Sequence, residues 1–186
     1  MEQMGEIWVW GIVAMVVVML VLMIIMFKRY RRVGPNQAMI IYGGGTRGPR
    51  VVIGGGAFVM PVIQKAEILS LEALPVELSS PMIPTSDGKN LIIEGVAQVK
   101  VQGTQQAVLA AAERFLGSGR EQMVAIARDV LHNGLRAVAR QMEAAEIDAQ
   151  RELFMAKLKE LADGDLASMG LEVLVVNIRE VRGARK

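Results

Sequence analysis

A glycine-rich segment has the spacing of a nucleotide-binding loop. Gly43, Gly45 and Gly48 satisfy the pattern G-x-G-x-x-G, which in dinucleotide-binding proteins holds a pyrophosphate at the start of a helix. Here Pro49 and Arg50 follow, then a β-branched run, so no helix is predicted there. The Lys-Ser/Thr pair of a P-loop is also missing after Gly48. The glycines therefore predict a hairpin, and we expect no bound cofactor.

The titratable side chains do not assemble into a known catalytic motif. The chain has no cysteine, which excludes a thiol nucleophile, a disulfide scaffold and a Cys-ligated metal. His132 is the only histidine, and its position beside Asn133 predicts a solvated helix residue. The acidic residues of the C-terminal half are typical of a solvated helix face: Glu143, Glu146, Asp148, Asp163 and Asp165. We expect no catalytic residue, no metal site and no enzymatic activity, although a lone catalytic histidine or a carboxylate-only metal site stays open.

The charges are distributed unevenly along the chain. The net charge is +2, yet residues 33–186 carry 17 basic and 17 acidic side chains, and four cations lie together in residues 28–32. A nucleic-acid-binding domain needs a basic stripe across its folded surface. The neutral balance after residue 32 argues against nucleic acid as a partner.

Residues 7–27 contain no charged side chain and predict a transmembrane helix. As a helix the 21 residues extend about 31 Å, which matches a hydrocarbon core of roughly 30 Å. Thirteen of them are Ile, Val, Leu or Phe. A cleaved signal peptide would have a basic start and a shorter apolar run, whereas this chain begins MEQMGE. We expect a retained anchor that contacts membrane lipids.

Lys and Arg beside a membrane span favour the cytoplasmic side, and all four cations follow this span. The prediction is an extracytoplasmic N-terminus (residues 1–6) and a cytoplasmic domain on a single-pass cell-membrane protein. Interfacial aromatic residues lie at both ends of the span. The residues predicted to set anchoring and orientation are Trp8, Trp10, Lys28, Arg29, Tyr30, Arg31 and Arg32.

The first part of the remaining chain predicts β-strands. Residues 37–42 and 51–53 read as short strands, and residues 68–78 read as one extended stretch interrupted by Pro75. After the Asp87-Gly88 turn signal, the alternation of Leu91, Ile93, Ala97, Val99 and Val101 with polar residues predicts a half-buried antiparallel strand.

Helices are predicted to follow these strands. Thr104 is a candidate N-cap, and Ser118 with Glu121 fits a capping box for a long helix that carries Val130 and Leu131. A further helical pattern includes Ile147, Phe154, Leu158 and Leu161, and residues 171–178 read as a strand that returns to the sheet. Strands followed by helices indicate an α+β fold, with an antiparallel sheet packed against helices.

Four blocks resemble the flotillin branch of the stomatin–prohibitin–flotillin (SPFH, or band 7) superfamily in order and spacing. They are GPNQAMII, GGGAFVMPVIQKAEILSLEALPVEL, AAERFLG and DLASMGLEVLVVNIREVR, and the resemblance covers residues 34–182. Leu131, Leu135 and Arg136 also match, as do Glu146, Ile147, Arg151 and Phe154. Asp148 and the pair Asn133-Gly134 depart from the family pattern.

The resemblance implies an SPFH domain at residues 33–182 after a basic juxtamembrane stretch at 28–32. It implies a non-enzymatic scaffold of bacterial type that forms homo-oligomers, organises membrane microdomains and acts beside an NfeD-type membrane partner. The family continues into a coiled coil, which we expect to be absent or truncated here, with residues 183–186 as a tail. The alternative is a membrane-tethered regulatory or binding module for a membrane protease or another membrane protein complex.

Overall fold

The computed structural model describes residues 2–28, 30–44, 48–60 and 63–183, with side chains for all of these except residues 2–9, 25–28 and 81. In chain order, the elements are α1 (Glu2–Lys28), β1 (Tyr30–Gly43), β2 (Arg50–Phe58), β3 (Gln64–Ser70), β4 (Leu74–Pro84), β5 (Asn90–Val101), α2 (Gln105–Phe115), α3 (Gly119–Ala139), α4 (Ala144–Ala149), α5 (Arg151–Ala167) and β6 (Leu171–Gly183).

The strands form two antiparallel sheets instead of the single sheet predicted. Sheet A has the strand order β2-β1-β3, and sheet B has the order β4-β5-β6. The stretch expected to be continuous at residues 68–78 divides at residues 71–73, so that β3 and β4 belong to different sheets. Leu71 N donates to Asn36 O (2.9 Å), and Ser70 Oγ accepts from Glu72 N (3.3 Å). These hydrogen bonds satisfy the backbone N–H groups of Leu71 and Glu72, which lie between the two sheets. The fold class α+β is confirmed.

The predicted alternation of β5 is confirmed. All five of its expected core residues are buried, while Glu94 and Gln98 on the opposite face are exposed. Because β5 is the central strand of sheet B, its apolar face lies in the middle of the main core. Helices α3 and α5 cover this sheet, with α3 packed on β4 and α5 on β6.

The two covering helices pack closely where Gly134 of α3 meets α5. A Cβ on Gly134 would lie 2.9 Å from Leu158 Cδ1, so only glycine fits without displacing the leucine. Phe154 and Leu158 are fully buried as the helical pattern predicted. Leu161, expected with them, is 43% exposed, and Ala162 holds the buried position one residue later. The buried stripe of α5 follows a spacing of four residues, which Leu161 does not match.

The start of α2 is confirmed and that of α3 is not as predicted. Thr104 Oγ1 accepts from Ala107 N (3.3 Å) and caps α2. Ser118 already has right-handed helical backbone angles and makes no capping bond, so its predicted capping box is wrong. A reciprocal capping box is instead present in α4, between Glu143 and Glu146.

Strand β6 contains a bulge whose free backbone groups are satisfied by α5. The register against β5 shifts between Gln98 and Val99, which leaves an extra residue on β6. Asp163 Oδ1 accepts from Val173 N (2.7 Å), and Lys159 Nζ donates to Leu174 O (3.1 Å). Two side chains one turn apart on α5 therefore fix the bulge in place.

Strand β1 buries both of its faces. Ala38 and Ile40 point into the main core. Met39 and Ile41 point to the other side, where they form a second, smaller apolar cluster. Val33, Ala57 and Val59 complete this cluster. Because successive side chains of a strand point to opposite faces, β1 belongs to both clusters at once.

The turn between β4 and β5 is tied to α4 through Asp87. Its carboxylate accepts from Thr85 Oγ1 and from Ala144 N (3.4 Å), and it pairs with Lys89 Nζ at 2.9 Å. The hydrogen bond from Thr85, followed by that from Lys89, holds the pKa of Asp87 well below its usual range. The carboxylate form is therefore the one that the fold favours.

Asp87→Asn is expected to lower the free energy of unfolding at pH 7. In acid, the difference between the variant and the wild type should become smaller. A carboxyl group with a depressed pKa stabilises the fold fully when the pH is above its unfolded-state pKa of about 3.9. This stabilisation is lost progressively as the pH falls from there through the folded-state pKa. Urea unfolding of the full chain in mild detergent measures the free-energy difference between variant and wild type at pH 7 and at pH 3. Asp165→Asn, at an exposed carboxylate on α5, is the control. An equal deficit for Asp87→Asn at both pH values would contradict the assignment.

Candidate functional site

Helix α1 presents apolar side chains to its surroundings on every face. All of its side chains from residue 10 to residue 24 are exposed, and Trp10 is 71% exposed. A helix that is apolar all round is typical of burial in a large core or in a membrane. Over the part of the chain that the structure describes, no helix has the length and hydropathy needed to cross a membrane. The transmembrane helix predicted at residues 7–27 is therefore not confirmed.

The structure places the predicted anchoring residues at the two ends of α1. Trp10 lies in α1, and Tyr30, Arg31 and Arg32 are exposed residues at the start of β1. Trp8 and Lys28 also belong to α1, although their side chains are not described. Arg29 lies outside the described residues. Half of the expected basic stretch thus belongs to a strand of sheet A and is not a separate linker.

Pairing between β1 and β2 brings a second segment to the end of α1. Tyr30 pairs with Phe58, and Arg32 pairs with Gly56. The rings of Tyr30 and Phe58 meet edge to face, with centroids 5.5 Å apart and an angle of 61°. A Cβ on Gly56 would collide with the Tyr30 ring, so glycine is required there for the ring to lie across β2.

An apolar tip extends from this aromatic pair, and we define it as Tyr30, Phe58, Met60 and Ile63, all of them exposed. A tight turn holds its last two members together, because Met60 O accepts from Ile63 N (3.1 Å) and Gln64 N (2.7 Å). Val59, between Phe58 and Met60, is buried in the small cluster of sheet A. Exposed apolar residues grouped next to α1 mark a surface for lipid or for another protein.

Sequence reasoning did not single out Phe58, Met60 and Ile63. The segment from Ala57 to Ile63 is apolar at nearly every position, so its pattern does not show which side chains face outward. One signal was available, because β-alternation places Phe58 and Met60 on the same face. Choosing the outward face required the pairing of Phe58 with Tyr30.

His132 is more enclosed than predicted. It is half-buried on α3, and its Nε2 atom is buried without a hydrogen-bond partner among the described residues. Burial lowers the pKa of His132, and the positive charges of Arg136 and Arg128 lower it further against the opposing effect of Asp129. The prediction that His132 is a solvated helix residue is thus wrong. The side chain is partly enclosed, and its lowered pKa favours the neutral imidazole.

The strands on either side of the glycine-rich segment, β1 and β2, pair antiparallel as the predicted hairpin requires. Strand β2 follows it, in place of the helix that a dinucleotide site needs. Gly43 has φ +94, and a Cβ there would lie 2.6 Å from Ile63 O, so the residue allows the end of β1 to pass beside the turn of the apolar tip. Gly45 lies outside the described residues.

Comparison with known proteins agrees with this geometry. The sequence model of the SPFH domain / Band 7 family matches residues 31–184. The flotillin-like protein FloT of Bacillus subtilis (strain 168) is 35% identical over 184 residues, covering 92% of this chain and 36% of FloT. Flotillin-1 of Drosophila melanogaster is 37% identical over 150 residues, covering 80% of this chain and 35% of the relative.

Flotillin-1 of Homo sapiens is 34% identical over 149 residues, with 80% of this chain and 35% of the relative covered. The chain spans about a third of the length of these curated relatives. The matched residues include both sheets and all the helices after α1. The chain therefore belongs to the SPFH domain / Band 7 family and is a homologue of the flotillins.

Proposed function

We propose that this chain is the membrane-anchoring and SPFH part of a flotillin-type scaffold, a non-enzymatic protein that organises membrane microdomains. The observation that carries the proposal is the continuity of α1 with the apolar tip, since α1 ends at Lys28 and β1 begins at Tyr30. One residue therefore separates an apolar helix from an apolar edge of the folded domain. Homology to the flotillins suggests the scaffold role, and this arrangement is compatible with it.

The proposed anchor is the apolar run at residues 7–27. Its 21 residues lack charge, and apolar side chains of this kind each contribute about −0.3 to −0.6 kcal/mol to insertion. The four cations of residues 28–32 follow it and favour a cytoplasmic domain. Near anionic headgroups each cation adds about 1 kcal/mol of attraction. The start of β1 would thus contact the same membrane that holds the anchor.

The apolar tip is proposed to enter the interfacial layer of the same membrane. Aromatic rings favour this layer, and the Tyr30–Phe58 pair lies beside two further exposed apolar side chains. Arg31 and Arg32 directly precede Val33 of the small cluster on β1 and are exposed to meet headgroups. The tip would hold sheet A against the bilayer at a second point beyond the anchor.

We expect a fluorophore at position 60 to report lipid and one at position 82 to report water. The chain has no cysteine, so Met60→Cys and Met82→Cys each provide a single site for a polarity-sensitive dye. The two methionines are matched, at 64% and 60% exposed, but Met82 lies on β4 of the other sheet. In lipid nanodiscs, brominated lipid should quench only the dye at position 60. Equal quenching at both sites, or at neither, would contradict an inserted tip.

Assembly is proposed to use α5 and β6, which present Leu153, Leu161, Leu174 and Val175 to the outside. Confinement to a membrane raises the effective concentration of neighbouring copies, so weak lateral contacts can act together. An NfeD-type membrane protein remains the proposed partner by resemblance to the family. The second candidate function, a tethered regulatory module, would need no contact between copies.

Lysine cross-linking in right-side-out membrane vesicles tests orientation and assembly together. Every lysine follows the proposed span, so a membrane-permeant reagent should give a ladder of oligomers, and an impermeant reagent added outside should give no product beyond the dimer that one α-amino group per chain allows. A ladder with the impermeant reagent would overturn the orientation. A strictly monomeric product at native expression, with the permeant reagent shown to modify the lysines, would overturn the scaffold in favour of the tethered module.

A further inference from the structure

A groove of about 350 Å³ separates β3 from the turn between α2 and α3. Four consecutive residues of β3, from Glu67 to Ser70, line it. Alternate residues of a strand face opposite sides of its sheet, so a surface that touches four in a row meets the strand along its edge. The groove therefore runs beside the backbone of β3 and not over one of its faces.

This edge of β3 is unpaired. β3 is an outer strand of sheet A, and β1 is the only backbone partner of residues 65–70 within the described ranges. An unpaired edge presents N–H and C=O groups that can bind another extended chain. Proteins that bind peptides by strand addition use such an edge for affinity and adjacent pockets for specificity.

The floor of the groove is apolar, and an ion pair lies at its wall. Leu69, Leu74, Phe115 and Met123 are buried members of the main core that also line it. The opposite wall is held against the chain between the two sheets by an ion pair, in which Arg120 Nη2 lies 2.6 Å from Glu72 Oε2. An apolar side chain entering beside Leu69 would thus meet a preformed surface.

The charge at the rim adds a further preference. Glu67 lines the groove on the same strand face as Leu69, two residues away, and its carboxylate accepts from Tyr42 Oη at 2.5 Å. The charge of Arg120 is already matched by Glu72, which leaves the carboxylate of Glu67 without a cation in an ion pair among the described residues. Opposite charges on directly facing residues of neighbouring strands attract. A Lys or Arg beside Glu67 therefore fits this position.

We propose that the groove binds an extended peptide by strand addition to β3, with a basic side chain beside Glu67 and an apolar side chain over Leu69. The residue between them faces Ile68, which is exposed on the other side of the sheet. The partner is a protein segment with the sequence basic–β-branched–apolar, or the reverse order for the opposite strand direction. This inference is independent of the anchor and of assembly.

Two capped octapeptides with central Lys-Val-Leu and Leu-Val-Lys are the probes, used with the full chain in detergent micelles. One of them should bind and should protect from hydrogen exchange those amides of residues 65–70 that do not face β1. N-methylation of the Val amide, or of the Lys and Leu amides together, should abolish binding in one case and spare it in the other, because alternate amides point to opposite sides of a strand. Equal binding of both methylated forms would exclude strand addition.

Charge exchange at the rim gives a second readout. Glu67→Lys should weaken binding of the Lys peptide by about fivefold, while Glu77→Lys, an equal charge change on the exposed side of β4, should leave it unchanged. Loss of binding to the same extent in both variants would contradict the assigned position of Glu67.

Other occupants of the groove would give different results. Protection of residues 65–70 that depends on protein concentration, without peptide, would assign the edge to a second copy of this chain. Displacement of bound peptide by micromolar fatty acid would assign the groove to an acyl chain. Failure of both peptides to bind at millimolar concentration would overturn the proposal, and the anchor would be unaffected.

Discussion

Leu131→Asp is expected to unfold the SPFH domain. Leu131 is fully buried at the centre of α3, where the helix covers sheet B. Removing a buried leucine side chain costs about 2–5 kcal/mol, and an unpaired carboxylate in the same place adds a desolvation penalty. The total approaches the 5–15 kcal/mol by which most domains are stable. The measurement is thermal unfolding of the full chain in mild detergent, followed by circular dichroism.

Val130→Asp is the matched control for this variant. Val130 is the preceding residue on α3, and it is half-buried at the border of the main core. The carboxylate introduced by Val130→Asp can reach water, so we expect this variant to unfold cooperatively at a reduced melting temperature. Similar melting curves for the two variants would show that the assigned face of α3 is wrong.

Gly170→Ala is expected to cost about 3 kcal/mol or more. Gly170 has φ +75, and a Cβ there would overlap Ala107 O and lie 2.8 Å from Ala107 C. Both contacts are with the backbone of α2, which cannot move without disturbing the helix. Gln102 N also donates to Gly170 O (2.9 Å), so a shift of residue 170 would break the connection to β5. Urea unfolding of the full chain gives the difference directly.

Gly119→Ala separates the two causes of that loss. Gly119 has a similar φ of +78, but a Cβ there would meet nothing within 4 Å. Only backbone strain remains, at about 1–2 kcal/mol. If Gly119→Ala and Gly170→Ala lose equal stability, the close approach of Gly170 to α2 is not what selects glycine.

Local patterns were sufficient to predict β5 and α2. The apolar residues of β5 recur at every second position with polar residues between them, and Thr104 precedes a helical apolar face. Both signals depend on nearest neighbours along the chain. The two-sheet arrangement depends on distant ones, because residues 71–73 carry neither glycine nor proline and their separation from the strands relies on Asn36. No local pattern contains that hydrogen bond.

In the candidate site, too, some features can be predicted from the sequence and others depend on contacts between distant residues. The cations and aromatic residues around α1 are a composition signal, which the sequence displays directly. The apolar tip exists only because β2 returns to pair with the start of β1, and this register places Phe58 against Tyr30. His132 was misjudged for a related reason, since its helix position says little about the neighbours that enclose its ring.

The double burial of β1 makes sheet A and sheet B one cooperative unit. A strand that packs on one face only could detach and leave its partner core intact. β1 cannot, because releasing Met39 and Ile41 from the small cluster also withdraws Ala38 and Ile40 from the main one. A disturbance at the start of β1, where Tyr30 pairs with Phe58, therefore acts on the same strand that helps close the helix-covered core. We therefore expect the two sheets to unfold in one transition, because β1 belongs to both apolar clusters.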